Sequence, residues 1–137
     1  ALPENTVLGP DRYNQFFTAH GLAMMFLFAV PVMEAMGVYL VPLMVGTRNI
    51  AFPRLNAFSY YMFLFGGVLL FGALITNTGP DTGWFSYPPL ANPDWAPGKR
   101  VDVFTQLISF TEVAALAVAV ELVATIFKLR APGMTAE

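Results

Sequence analysis

The sequence predicts an all-α chain of polytopic transmembrane helices, three in number, and two observations carry that reading. Hydrophobic residues fill 56% of the 137 positions and charged residues only 12%, about half the charge of an ordinary soluble domain. Mean hydropathy is +0.59. The apolar residues also fall into three runs, about 13–44, 55–76 and 101–127, parted by connections rich in Pro, Gly and Arg. At about 1.5 Å per residue each run suffices for a hydrocarbon core of roughly 30 Å.

Net charge is -2 with no basic tract, which speaks against nucleic acid as a partner. The lack of cysteine excludes disulfides, thiolate zinc sites, iron–sulfur clusters and thiol nucleophiles together. No short apolar segment with a basic leader precedes the first span, so no signal peptide is expected. The opening Ala-Leu-Pro-Glu reads as part of something longer.

Residues 1–13 are polar and broken by Pro3, Gly9 and Pro10, an extramembrane lead-in with Asp11 as a candidate N-cap. The first span, Tyr13 to Met44, is longer than a bilayer needs and is expected to tilt or protrude. Pro31 and Pro42 lie inside it, and Pro31 frees a carbonyl one turn earlier and bends the helix. The connection Gly46 to Arg54 places Pro53 where a helix starts. Leu55 to Thr76 carries no formal charge. Gly66, Gly67 and Gly72 allow close helix contact there, Asn56 is a polar group near its start, and Tyr60 and Tyr61 suit the interface.

Asn77 to Arg100 is a long loop of Pro, Gly, Asn and Asp that holds Trp84, Tyr87 and Trp95, a composition suited to the membrane–water boundary. The third span contains Glu112 and Glu121 and ends at Lys128, Arg130 and Pro132-Gly133. With three spans, the first connection shares a side with the C-terminus, and the N-terminus shares the other with the Trp84 loop. Arg48, Arg54, Lys128 and Arg130 against Arg12, Lys99 and Arg100 give a slim charge excess to the first side.

His20 is the only histidine, at the head of a run in which Glu34 is the sole charge from Gly21 to Val45. An imidazole there has a lone pair to offer, a small neighbour in Gly21, and Met24, Met25 and Phe28 about one and two turns on. These are features a buried haem iron ligand needs, and a hydrogen-bonded structural histidine also fits them.

Glu34, Glu112 and Glu121 need an explanation, because an ionised carboxylate at membrane depth costs about 2.5–3.5 kcal/mol. Glu112 and Glu121 are nine residues apart, so at about 100° per residue they point to opposite faces. No Lys or Arg lies within a span, so each is either a hydrogen-bonded neutral acid or a group that takes up and releases protons.

Several blocks then stand together: Ala19-His20-Gly21 with Met24-Met25-Phe26, Met33-Glu34, Gly37 to Gly46, Ala51-Phe52-Pro53-Arg54-Leu55-Asn56, Gly83-Trp84-Phe85-Ser86-Tyr87-Pro88-Pro89-Leu90, and Arg130-Ala131-Pro132-Gly133-Met134. In this order and spacing the chain resembles subunit I of the haem–copper oxidase superfamily, in its cytochrome c oxidase branch. The resemblance covers nearly all of residues 1–137 and corresponds to family helices II, III and IV of a bundle of about twelve, so its functional content is an analogy.

The resemblance implies a terminal respiratory oxidase that reduces dioxygen to water with electrons from cytochrome c and pumps protons. A quinol oxidase of the same superfamily is one alternative, and a non-catalytic three-helix membrane subunit another. It implies that His20 is an axial ligand of the low-spin haem a, with Met24, Met25 and Phe28 as an apolar wall and Trp84 and Tyr87 over the haem region on the outer side. The second axial histidine and the ligands of haem a3 and CuB belong to later helices, so no catalytic residue is expected here and the piece alone is not active. The implied partners are the remaining helices of subunit I, a CuA-type subunit II, subunit III, cytochrome c or a similar donor, and lipid. The implied location is a bacterial plasma (inner) membrane, with a multi-pass topology.

The departures from the family pattern matter too. Asn49 stands where the family has an acid at the mouth of its proton channel, Val38 where it has an asparagine, and Ala114 and Ala115 where it often has serines. Asn56 is kept, and Glu121 replaces an asparagine. The expectation is a modified proton route through Glu121, with Asn56 and Thr111, and with Glu112 or Glu34 as further members.

Overall fold

The computed structural model describes residues 7–135; residues 1–6 of the expected lead-in lie outside them. Three helices, each long and apolar enough to cross a membrane, make up the described fold: α1 (Pro10–Met44), α2 (Pro53–Ile75) and α3 (Arg100–Lys128). No strand occurs among the described residues.

Prolines set two of the starts. Pro10 is the first residue of α1 and Pro53 the first of α2, where a fixed φ suits the helix and a missing N–H is no loss. Gly9 is therefore the N-cap of α1, and Asp11 sits within the first turn instead of capping it. The carboxylate there still meets the positive end of the helix dipole.

Pro31 does not break α1. Its ring crowds the carbonyl of Leu27 and it has no N–H to give, and the turns just before it widen into a π segment, Ala23–Ala29, in which Val30 N–H bonds to Met25 O. The widened turns turn both Met24 and Met25 outward, together with Phe28.

The helices α2 and α3 form the closest pair, while α1 leans on α2 with its first half and on α3 with its second. Lipid tails are as apolar as the side chains, so this pairing depends on close packing between small residues. Gly66 supplies it: a Cβ there would lie 3.2 Å from Leu107 Cδ1. Buried Ala73, Ala114 and Ala117 add to it. Gly67 faces Leu27 of α1, whereas Gly72 meets nothing within 4 Å and contributes no close contact among the described residues. The shared core is Ala19 and Leu22 of α1, Leu70 and Leu74 of α2, and Leu107 of α3.

The two ends are tied separately. At one end Ala131 N–H donates to Val45 O at 2.9 Å, and Gly46, at φ +71°, closes α1 in the left-handed conformation. At the other end Gln15 meets Asn77. The first connection thus lies with the C-terminal segment, and the Trp84 loop with the start of α1.

Candidate functional site

Around His20 the faces of α1 are sharply divided. Asp11, Gln15, Thr18 and Leu22 follow one another at intervals of four, three and four, the spacing of a single helical stripe, and the last three are buried. His20 lies two residues beyond Thr18, about 200° round the helix, and its side chain is exposed. Its imidazole forms no hydrogen bond or ion pair with another described residue. Tyr13, Phe16, Phe17 and Met24 are exposed as well, so the imidazole stands in an otherwise apolar face that the three helices leave open.

The Trp84 loop closes over the flank of this site. Gly83 N–H donates to the buried Thr18 hydroxyl at 2.9 Å, and the indole of Trp84 comes to rest on Gly21. A Cβ at position 21 would lie 2.9 Å from both Cβ and Cδ1 of Trp84. The space that Gly21 opens beside His20 is taken by Trp84, not left for a ligand ring. Phe85 bridges onward, with ring centroids 6.1 Å from Trp84 and 4.9 Å from Tyr87.

The carboxylates separate as their spacing predicts. Glu121 is 0% exposed and neither carboxylate oxygen has a hydrogen-bond partner, while Glu112 is exposed. One turn past Glu121, the Thr125 hydroxyl donates to Glu121 O at 2.7 Å and receives the Ala51 amide at 2.8 Å, which ties the first connection to α3. Glu34 and Glu112 lie within Coulombic range of each other, and Glu34 Oε2 is buried without a partner. Thr111 turns its hydroxyl back on Leu107 O and Ile108 O and packs its methyl against Gly66. Glu121 thus lies on the opposite face of α3 from Glu112. Asn56 lies half-buried in the first turn of α2.

A family model described as Cytochrome C and Quinol oxidase polypeptide I matches residues 1–137. The chain belongs to that family. A Streptomyces coelicolor protein whose name reads cytochrome c oxidase subunit 1-beta is 41% identical over 136 residues, 98% of this chain and 24% of that protein. The cytochrome c oxidase subunit 1 of Bacillus subtilis is 38% identical over 135 residues, 98% of this chain and 21% of that protein. That of Corynebacterium glutamicum is 37% identical over 129 residues, 93% and 22%. The chain therefore spans about a quarter of the length of the curated relatives it matches. It is part of an oxidoreductase family of multi-pass membrane subunits, and the helix-spanning lengths agree with that.

Four residues with a part in this geometry escape a reading of the sequence: Gln15, Thr18, Thr125, and Arg100, which donates to Asp11 of α1 and to Gly79 O of the Trp84 loop. Three carried a signal, since a polar residue repeated along the buried stripe of an apolar helix must find a partner. Gln15 and Thr18 follow Asp11 on such a stripe, and Thr125 follows Glu121 by four. Their partners, Asn77, Gly83 and Ala51, could not be read from spacing.

Proposed function

We propose that this chain supplies helices of the catalytic subunit of a terminal respiratory oxidase, which reduces dioxygen to water with electrons from cytochrome c and pumps protons, and that His20 binds the iron of a low-spin haem a. The observation that carries the reading is the imidazole of His20, exposed and free of hydrogen bonds on an apolar face of α1. The residues present fit the group. One ring nitrogen is available for iron, Met24, Met25 and Phe28 are turned outward below it, and the lone histidine requires a second ligand from beyond these residues.

A low-spin haem held there supplies one-electron transfer. His20 would hold the iron through its imidazole lone pair. Met24, Met25 and Phe28 would exclude water beside it and lower the local dielectric, which tunes a bound haem's potential. Trp84, seated on Gly21, and Tyr87, joined to it through Phe85, would cover its outer side. Haem a3 and CuB would be held by other helices of the subunit.

The names of the relatives favour cytochrome c over quinol as donor, and their organisms favour a bacterial plasma membrane. A non-catalytic packing subunit accounts for the apolar helices but not for the family match. The partners are then the remaining helices of subunit I, a CuA-type subunit II, subunit III and cytochrome c. Reduced-minus-oxidised optical spectra of the purified complex test this: an a-type band is expected, and a haem-free complex overturns the reading.

We further propose that Glu121 exchanges protons on a modified route. Its support is full burial with both carboxylate oxygens unpartnered, beside a hydroxyl that reaches the first connection. Asn56 and Thr111 are proposed as secondary members. Glu112 or Glu34 is proposed as a further member.

A further inference from the structure

We propose that Arg100 is a positioning residue for the His20 site: it clamps the Trp84 loop to the first turns of α1 and so holds the indole on Gly21. The inference rests on the haem reading of His20. Arg100 is the first residue of α3, where the helix dipole disfavours a cation, so its place calls for compensation from outside the helix. The compensation comes from two other segments. Nη1 donates to Gly79 O at 3.0 Å and lies 3.6 Å from Asp81 Oδ2, while Nη2 donates to Asp11 Oδ2 and is 3.2 Å from Asp11 Oδ1. These are the only ion pairs among the described residues, and the Arg100 side chain is 19% exposed.

The clamp continues down the buried stripe of α1. Asp11 Oδ2 also receives Gln15 Nε2 at 3.0 Å, and the same Nε2 reaches Asn77 Oδ1 at 2.8 Å. Gln15 is 0% exposed. Next comes Thr18, which takes the Gly83 amide, and then Gly21 beneath Trp84. One charged group thus joins α1, the loop and α3, and the row of contacts it heads ends one residue from His20. Among the described residues no other cation meets Asp81, whose side chain is 23% exposed and whose Oδ1 is buried without a partner, so loss of the guanidinium would leave the loop with an unpaired, partly buried carboxylate and a reason to lift.

The test uses the complete oxidase with Arg100→Met and Arg100→Lys, read by hydrogen exchange at the Gly83 amide and by the midpoint potential of the low-spin haem. Arg100→Met should speed exchange at Gly83 about tenfold or more and shift the potential at unchanged haem content. Arg100→Lys, with charge but no fork, should restore part of both. Should Arg100→Met fail to assemble, Thr18→Val removes only the acceptor of the Gly83 amide and should move both readouts in the same direction. Unchanged exchange and potential at full haem content, in whichever of the two variants assembles, overturn the inference. The His20→Ala enzyme separates the two claims. Low-spin haem lost there, with no response to Arg100→Met, sinks the clamp alone; low-spin haem retained there sinks the His20 reading on which the clamp rests.

Discussion

Trp84 lies so close to Gly21 that a single added methyl at position 21 would come within 2.9 Å of both its Cβ and its indole Cδ1. Ala19 and Leu22 are buried on either side, so α1 has little freedom to step back. Gly21→Ala should therefore destabilise the enzyme by about 1–3 kcal/mol, the usual range for overpacking. Thermal denaturation of the complete oxidase in detergent measures it, and Gly21→Val should be worse. A Gly21→Ala enzyme of unchanged stability would mean that the indole does not rest there.

Thr125 holds the first connection on α3 through one hydroxyl, which takes the Ala51 amide and gives its proton to Glu121 O. Thr125→Val keeps the shape and leaves that amide unpaired in a buried place, a loss of about 1–3 kcal/mol. Thr125→Ser should recover most of it. Hydrogen exchange at Ala51 separates this loss from a general loosening, because only the local amide should speed up.

How far the sequence is legible depends on the range over which each feature is decided. Glu112 and Glu121 were assigned to opposite faces from an angle alone, and the burial of Glu121 with Glu112 exposed agrees. Pro53 heads its helix for a reason contained in proline itself. Asp11 as an N-cap was wrong because Pro10 fits the first helical position better and moves the start back. Pro31 was expected to bend α1, and a widened turn replaces a break because the helix can absorb one misplaced carbonyl by bonding a residue further back. The fastening of the Trp84 loop was not legible. It joins residues 62, 65 and 89 positions apart, Gln15 to Asn77, Thr18 to Gly83 and Asp11 to Arg100, and nothing local to either end specifies the partner. The same holds for Gly21, whose small size looked like room for a ligand ring until Trp84 filled it.

Glu121→Gln keeps the volume of the buried side chain and removes the exchangeable proton. On the proposed route it should cut the rate of proton uptake in the complete oxidase by a factor on the order of 10², with haem content unchanged. Stopped-flow turnover and proton stoichiometry in reconstituted vesicles provide the check. Full turnover with normal stoichiometry would take Glu121 off the route and leave it a structural acid.

The most direct test of the central claim is the electron paramagnetic resonance signal of the low-spin ferric haem in the complete oxidase carrying His20→Ala. Loss of that signal, with the other chromophores and the assembled subunits retained, is the result expected if His20 is an iron ligand. An unaltered low-spin signal at full haem content would contradict it.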